Sequence, residues 1–446
     1  MRRAHRLPPG VARRGDRGSD ARWTSQAEDQ GRHAVRQRVS PARQGRTRPA
    51  RLRPRRPADT GLRRDAAQAQ RPPARAARGV RPDRGRGGPG VARLLRQGPG
   101  EVRLTPGPAG RPSTEGPTLR ETGEHPFLAR LCARIRARQE AAAPVQLLVP
   151  PGDDCAVTAP SPHPLALTTD ALVDDVHFRR DWLAWRELGR RVITVNLSDL
   201  AAMGAIPAWT LVAVAAPAEL PAHALDEILD GCADATADAG AVVAGGNLTT
   251  APVLSITVTA GGTLPGPCLT RGGARVGDHL LVTGTLGGSA AAVAAWLAGE
   301  RPDASLAARF VAPVARIAAG RALAAAGAHA AIDLSDGLMA DLGHLCAASG
   351  VGAVVERARL PRLPAVSRLD AAGHDFAATG GEDYELLVAC PDEVLPRLDA
   401  LARATDTPLA IVGRCVDAAH GVVLQDEGGR PHAVRTRGFD HFGRTT

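Results

Sequence analysis

The sequence predicts two α+β domains in series, preceded by an extension that forms no core. Three observations support this fold class. Residues 1–122 are rich in Arg, Pro and Gly without an apolar rhythm, strand and helix signals alternate from residue 123 onward, and a Pro- and Gly-rich break lies at 265–267. We therefore predict an N-terminal domain over 123–265 and a C-terminal domain over 268–446.

The extension and the rest of the chain differ in charge. The first 120 residues contain 30 Arg against nine Asp and Glu, a balance of +21, which leaves −11 for residues 121–446. A segment as polar as the extension cannot bury enough apolar surface to offset its ordering entropy, so we expect it to be disordered. The alternative is a basic arm that binds nucleic acid or an acidic partner. The acidic remainder favours divalent metal ions over nucleic acid.

The 56 basic residues are all Arg, because the chain contains no Lys. This excludes a phosphate-binding loop of the GxxxxGK[ST] type, the ATP-anchoring Lys of protein kinases and Schiff-base chemistry. If the protein binds ATP, metal ions and Arg must neutralise the phosphates.

The cysteine content and the hydropathy favour a soluble, cytoplasmic protein. The seven Cys are scattered and form no CxxC pair, which is typical of a reducing compartment. No apolar run approaches the ~18 residues of a membrane span. The Arg-rich N-terminus has no apolar stretch behind it, so we expect no signal peptide and no membrane partner.

The predicted elements of the N-terminal domain alternate between helix and strand. In order they are a helix over 128–135, a strand over 165–169 that ends at Asp170, a helix over 182–203, a strand over 209–216, a helix over 222–239, and strands over 241–244 and 253–262. The second helix places Leu188, Val192 and Val195 on one apolar face.

The predicted elements of the C-terminal domain follow the same alternation. They are a strand over 279–283, helices over 288–299 and near 314–326, a strand over 329–334 that leads into a helix over 337–348, strands near 352–356, 384–390, 408–413 and 421–425, and a helix near 392–404.

Five acidic clusters follow apolar runs, at 151–154, 168–170, 196–199, 333–337 and 380–385. Acidic residues at strand ends point into the crevices where ligands bind in sheet proteins. Asp199 is the most informative, because it falls on the apolar face of its helix, seven residues after Val192. A lone buried carboxylate is costly, so it must bind a metal or pair with an Arg. Five such clusters favour a shared metal site.

Three further features suggest binding of phosphate groups. Gly245-Gly246-Asn247 follows a short strand, where Gly lets the backbone approach a phosphate, although such a pair is more often a simple turn. Arg271 can reach a phosphate with a bidentate fork or be a surface residue. His177 lies among acidic residues that favour its charged, anion-binding form, although a lone His is more often a packing residue.

Taken together, these clusters resemble the thiamine-monophosphate kinase family. The resemblance covers roughly residues 123–442 and leaves 1–122 without a counterpart. The motifs that carry it, in order, are GDDCAV (152–157), TTDALVDDVHF (168–178), NLSDLAAMGA (196–205), GGN (245–247), LTRGGARVGD (269–278), IDLSDGL (332–338), GGEDYELL (380–387) and GFDHF (438–442). Eight motifs in this order are a specific signal.

The resemblance implies two α+β domains of the aminoimidazole-ribonucleotide synthetase type, a homodimer, and phosphorylation of thiamine phosphate by ATP with Mg²⁺. The magnesium ligands that it implies are Asp154, Thr168, Thr169, Asp170, Asp199, Asn247, Asp333 and Asp336. The nucleotide-binding residues that it implies are Gly245, Gly246, Asn247, Arg271 and Ser335. His177, Glu382 and Phe439 would contact thiamine phosphate, although Phe439 taken alone would be a core aromatic residue. The resemblance implies no catalytic acid or base.

This chain departs from the family at one position. The family commonly has Asp where this chain has Asn247, so one magnesium site would lack a charge here.

The alternatives within the superfamily are aminoimidazole-ribonucleotide synthetase, selenophosphate synthetase and the hydrogenase-maturation dehydratase. The segments GGEDYELL and GFDHF favour the thiamine enzyme over all three. A nucleic-acid binder that uses the Arg-rich arm is the alternative from another class.

Overall fold

The computed structural model describes residues 116–139, 147–149 and 155–433. These residues belong to one compact unit, and the helices and strands counted in each half are those that they form. Most of the predicted extension, Asp154 and Phe439 lie outside the described residues. In the part of the chain that is described, no helix is long and apolar enough to cross a membrane.

The N-terminal half contains four helices and six strands. They are α1 (Leu119–Thr122), α2 (Glu124–Gln139), β1 (Leu147–Val149), β2 (Val157–Thr158), β3 (Leu165–Val173), α3 (Trp185–Ala202), β4 (Ile206–Ala216), α4 (Ala222–Asp238), β5 (Val242–Thr250) and β6 (Ser255–Thr263). Strands β1 and β2 pair with each other, while the other four form a sheet in the order β3-β6-β4-β5. Only the β4–β5 pair of that sheet is parallel, because α4 connects the two strands as a crossover.

The two faces of the four-stranded sheet differ. Helices α3 and α4 contact one face, where Ile256, Val258 and Ala260 are buried. The other face exposes Leu165, Leu167 and Leu211. The two helices approach closely, because a side-chain carbon at Gly189 would lie 1.9 Å from the Ile228 carbonyl oxygen.

The C-terminal half contains seven helices and six strands. They are β7 (His279–Thr283), α5 (Gly288–Leu297), α6 (Ala304–Val311), α7 (Ile317–Ala326), β8 (Ala330–Asp333), α8 (Leu338–Ser349), β9 (Gly352–Glu356), α9 (Pro364–Ala371), α10 (Phe376–Thr379), β10 (Leu386–Cys390), α11 (Leu398–Thr405), β11 (Leu409–Val416) and β12 (Val422–Gln425). The strands form one sheet in the order β12-β9-β11-β7-β10-β8, antiparallel except for β12–β9.

The α+β class predicted from the sequence is confirmed, with three local corrections. The short strand predicted over 241–244 continues to Thr250, because β5 pairs with β4 along its length. The helix predicted near 392–404 is a 3₁₀ segment over Asp392–Arg397 followed by α11, since Pro396 cannot donate an α-helical hydrogen bond. Helices α1, α6, α9 and α10 and strands β1 and β2 were not predicted, and α1 lies within the predicted extension, where Thr118 caps it.

Helix α3 joins the two halves. It packs on the four-stranded sheet and also contacts α7 and β8 of the C-terminal half. The Ala201 carbonyl lies so close to Gly320 of α7 that an added side-chain carbon would sit 1.9 Å from its oxygen. A residue on α3 can therefore contact residues from both halves.

Candidate active site

A cavity of about 960 Å³ lies where α3 meets β3 and β8. Eight of the residues predicted for the site line it: Asp170, His177, Asp199, Arg271, Asp333, Ser335, Asp336 and Glu382. The wall away from the aspartates is apolar and includes Trp182, Val293, Leu297 and Phe310. The structure thus brings together residues that are up to 212 positions apart in the sequence, from Asp170 to Glu382.

Strand β3 places Thr168 and Asp170 on the same side, because alternate residues of a strand share a face. The Thr168 hydroxyl donates a 2.5 Å hydrogen bond to Oδ2 of Asp199 on α3. The Thr169 hydroxyl instead donates to the Val258 carbonyl, 3.0 Å away. The strand therefore brings the side chains of Thr168 and Asp170, but not that of Thr169, to the cavity side of the sheet.

Asp170 is held by its backbone as well as by its strand. Its N–H donates to Oδ1 of the buried Asn196, at 2.9 Å, and the Asn196 amide donates to the Val192 carbonyl at the same distance. Partial burial and the negative charge of Asp199 raise the pKa of Asp170 to about 6. Asp170 and Asp199 therefore lie close enough to repel each other when both are ionised.

Asp333 ends β8 and is the most deeply buried of the predicted ligands, with 6% of its surface exposed. Burial, followed by the negative charge of Asp199, raises its pKa to about 8. Burial also raises the pKa of Asp199, against the hydrogen bond from Thr168. Within the described part of the chain no ion pair joins any of these three carboxylates to an Arg. The alternative interpretation of Asp199, a simple pair with Arg, is therefore not the arrangement found.

The loop between β8 and α8 is fixed by a residue that sequence reasoning missed. Oδ2 of the buried Asp341 accepts hydrogen bonds from the N–H groups of Asp336 and Gly337, each 3.0 Å long. Burial and the charge of Asp336 raise the pKa of Asp341 to about 7. An acidic residue in the first turn of a helix is the signal that identifies such a cap.

Glu382 reaches the cavity from an unusual stretch of backbone. Its φ of 70° and that of Tyr384, 51°, are in the left-handed region, which non-glycine residues seldom adopt. The N–H groups of Glu382 and Tyr384 donate to the carbonyls of Ser335 and Leu334, at 2.8 and 2.9 Å. Strained backbone held in this way is common at functional sites.

Glu382 also pairs with Arg191 of α3, which sequence reasoning did not identify. Burial raises the pKa of Glu382, and the positive charge of Arg191 opposes that rise. The signal for Arg191 was the same as for Asp199, because both are charged residues on the apolar face of one helix.

Arg271 and His177 both line the cavity. Arg271 begins a 3₁₀ turn (Arg271–Gly273), and its positive charge lowers the pKa of Asp199. Nδ1 of His177 accepts a 3.1 Å hydrogen bond from the Val173 N–H. His177 therefore stabilises the turn after β3 in addition to lining the cavity.

Gly245, Gly246 and Asn247 lie inside β5 and not in a turn after it, so the interpretation of the pair as a turn is wrong. Gly246 is required because a side-chain carbon there would lie 1.9 Å from the Val212 carbonyl oxygen. Asn247 pairs with Ala213 on the edge of the sheet. Among the described residues, the lining of the cavity includes none of these three, and Asn247 is not brought to the aspartates.

The donors that face the cavity suit a hard divalent cation. They include the carboxylate oxygens of Asp170, Asp199, Asp333 and Asp336, and burial together with neighbouring acids raises the pKa of Asp170 and of Asp333. Over residues 116–139, 147–149 and 155–433, no group of three or more His, Cys, Asp or Glu side chains is already arranged to hold a metal ion. One or two carboxylates can hold Mg²⁺ when water and substrate phosphates supply its other ligands.

Comparisons with known proteins identify the class. The family model described as AIR synthase related protein, N-terminal domain, matches residues 152–264, and that of the C-terminal domain matches residues 275–426. The chain is therefore an AIR synthase-related protein with both domains of that family.

Its relatives are more specific. The thiamine-monophosphate kinase of Mycobacterium tuberculosis (strain CDC 1551 / Oshkosh) is 37% identical over 307 residues, 67% of this chain and 90% of that one. The crystal structure of the same enzyme from Stenotrophomonas maltophilia K279a matches with TM-score 0.61 and 36% identity, covering 68% of this chain and 96% of that chain. A solved complex of AaThiL with AMPPCP and TMP matches with TM-score 0.56 and 29% identity, covering 73% of this chain and 98% of that chain. The chain belongs to the thiamine-monophosphate kinase family, as its motifs predict, and is a kinase by that membership.

Proposed function

We propose that the protein transfers the terminal phosphate of ATP directly to thiamine phosphate, with Mg²⁺, and so forms thiamine diphosphate. The observation that carries this proposal is the group of unpaired carboxylates, Asp170, Asp199 and Asp333, along one wall of a large cavity. A relative that binds AMPPCP and TMP supports the choice of both substrates.

The residue types fit this reaction. The acceptor is a phosphate monoester, which is an anion near neutral pH and needs no general base. The difficulty lies in bringing two polyanions into line, and positioning with charge neutralisation overcomes it. Mg²⁺, when bound, would supply the neutralising charge. Asp170, Asp199 and Asp333 would hold it, and Thr168 would orient Asp199.

The other predicted residues of the cavity would bind the two substrates. Arg271, whose charge acts on Asp199, and Ser335 would bind the nucleotide phosphates. Glu382 also lines the cavity and would balance the positive charge of the thiazolium ring. His177 would contact the phosphate of the acceptor. Transfer would then take place directly between the two substrates, without a phospho-enzyme.

The exposed leucines of the four-stranded sheet support a homodimer. Leu165, Leu167 and Leu211 are 53%, 64% and 38% exposed on one face, which a second copy of the chain would cover. Leu167→Glu should convert the dimer to monomer in sedimentation, whereas Val276→Glu, at a residue of 62% exposure in the other half, should not. A wild-type monomer would contradict this part of the proposal.

We also propose a cytoplasmic location, where ATP is available.

The activity is tested by incubating the full chain with ATP, Mg²⁺ and thiamine phosphate and separating the products by chromatography. We expect thiamine diphosphate and ADP in equal amounts, and no product from free thiamine. Asp199→Ala and Asp333→Ala should abolish turnover and still give folded protein by circular dichroism, whereas Asp238→Ala, which removes an exposed partner of Arg190, should have no effect. Failure to form thiamine diphosphate, or full activity in both variants, would refute the proposal.

A further inference from the structure

Arg191 is the most deeply buried charge near the cavity. It is fully buried, and it lies on α3 in the same row as the cavity residues Val195 and Asp199. Eight residues of α-helix separate Arg191 from Asp199, a distance of about 12 Å along the axis. One helix therefore places a carboxylate in the wall of the cavity and a guanidinium behind two other wall residues, Phe310 and Tyr384.

The guanidinium of Arg191 has partners for both terminal nitrogens and for one face, whereas its Nε has no hydrogen-bond partner among the described residues. Nη2 donates to Oε2 of Glu382, and Nη1 donates to the carbonyl of Phe310. Its plane lies over the Phe310 ring, 3.9 Å from the ring centre, and 5.6 Å from that of Tyr384. Among the described residues, Glu382 is its one ion-pair partner. A buried guanidinium without a counter-charge is costly, and the Glu382 carboxylate supplies that counter-charge.

Both hydrogen-bond partners of Arg191, Glu382 and Phe310, line the cavity. Glu382 lines the cavity directly, and its left-handed backbone conformation needs support from its surroundings. Phe310 packs edge-on against Trp182 and Trp296, whose rings stack 5.2 Å apart. Rotation of Arg191 away from this position would release the Glu382 carboxylate and remove the support beneath the aromatic wall.

We propose that Arg191 is a positioning residue for the acceptor. It holds the Glu382 carboxylate toward the cationic ring of thiamine phosphate and fixes the aromatic wall at the distance that the ring requires. This inference rests on the proposed function. Arg191 does not touch ATP or the reacting phosphates, so its effect falls on recognition of the acceptor.

The test compares Arg191→Lys with Glu382→Gln, with the double variant Arg191→Met/Glu382→Gln and with the control Arg190→Met. Lys keeps the charge but cannot donate to both partners in one plane. Arg190 is the neighbouring arginine, exposed and paired with Asp238, so its loss should leave the kinetics unchanged. The double variant removes both charges together and keeps most of the volume, so it should fold even where a single variant fails.

Each protein is assayed with thiamine phosphate and with the phosphate of an analogue that has a neutral thiophene ring. We expect the wild type to prefer the cationic ring by about tenfold or more in kcat/KM. Arg191→Lys, Glu382→Gln and the double variant should all lose that preference, while KM for ATP stays within about twofold. Because the two residues act as a unit, the double variant should lose no more than Glu382→Gln does.

The outcomes separate the two proposals. A wild type that forms no thiamine diphosphate refutes the proposed function and this inference with it. An active wild type without preference for the cationic ring, or an Arg191→Lys variant that keeps the preference, refutes the inference alone. A purely structural role would lower the melting temperature and the amount of active enzyme but leave the preference intact, and that result would also overturn it.

Discussion

Asp333→Asn should stabilise the metal-free protein and abolish its response to Mg²⁺. Asp333 is buried at the end of β8, beside Asp199, and within the described residues it has no Arg to pair with. Asn has nearly the same shape but no charge, so the substitution removes the cost of burying a carboxylate. It also removes a ligand that we propose for the metal.

The size of the effect follows from the pKa of Asp333, which burial and Asp199 raise from 3.8 to about 8. The folded protein holds this proton to higher pH than the unfolded chain, so folding is penalised increasingly as pH rises from about 4 to about 8. At ~1.4 kcal/mol per pH unit, the penalty is about 2 kcal/mol at pH 5 and about 4 kcal/mol at pH 7. Asn should recover at most these amounts in the free energy of unfolding.

The assay is urea unfolding of wild type and variant, followed by Trp fluorescence, near pH 5 and near pH 8 with EDTA and then with Mg²⁺. Without metal, the free energy of unfolding of the variant should exceed that of the wild type near pH 8. The difference should be smaller near pH 5. Mg²⁺ should raise the stability of the wild type only, since a ligand stabilises the state that binds it.

A matched control is Asp370→Asn. Asp370 is as buried as Asp333, but it pairs with Arg362 at 2.9 Å and accepts the Phe376 N–H at 2.6 Å. Its replacement should destabilise the protein at both pH values. Our reasoning is refuted if Asp333→Asn behaves like this control, or if Mg²⁺ stabilises the variant as much as the wild type.

Three further predictions follow from single contacts. Asn247→Asp should leave the Mg²⁺ concentration for half-maximal rate unchanged, because Asn247 lies in β5 and is not among the described residues that line the cavity; a lower requirement in a titration of rate against Mg²⁺ would show that this position reaches the metal. Thr168→Val should raise the Mg²⁺ concentration for half-maximal rate, most strongly at acidic pH. The 2.5 Å hydrogen bond from Thr168 lowers the pKa of Asp199, so without it Asp199 should be protonated at higher pH. An equal shift at all pH values would point to a different cause. Gly246→Ala should lower the free energy of unfolding in urea by about 2–4 kcal/mol, because the added carbon would lie 1.9 Å from the Val212 carbonyl oxygen. Gly245→Ala should lower it far less, because the added carbon would lie 3.5 Å from the Leu211 side chain. Similar losses in both variants would contradict the close packing of β4 and β5.

Helix α3 illustrates how much of the site can be predicted from sequence. The period of its apolar residues predicts a helix over 182–203, and the observed helix is Trp185–Ala202. The prediction is therefore within three residues at the start and one residue at the end. The same period marks Asp199 as a charge facing inward. It also marks Arg191, which escaped notice because Arg occurs on the surface of many helices and only its partner distinguishes it. That partner, Glu382, is 191 positions away, and no local pattern identifies a contact over this separation.

Strand β5 illustrates why some predictions failed. A Gly pair after an apolar run favours a turn, since Gly adopts turn conformations without strain. Here the requirement for Gly246 comes from the neighbouring strand, whose Val212 carbonyl leaves no room for a side chain. Helix α6 was missed for a different reason, because eight residues give too short a window for a helical period, although Asp303 caps its first turn by accepting the Ser305 N–H at 2.8 Å.

The pairing of buried acids elsewhere in the protein is the strongest argument that the aspartate cluster serves cation binding. Glu385 receives two hydrogen bonds from Arg316, at 2.6 and 2.7 Å, and Asp174 lies 2.8 Å from Arg180. The acidic part of this chain still contains 26 Arg, so a partner for Asp333 could have been provided.

Two other buried acids, Asp341 and Asp383, also have raised pKa values without an Arg ion pair among the described residues, but backbone N–H groups donate to both of them. Asp333 differs because the charges of Asp199 and Asp170 raise its pKa in addition to burial. This grouping of three carboxylates at one cavity is what favours cation binding as their function.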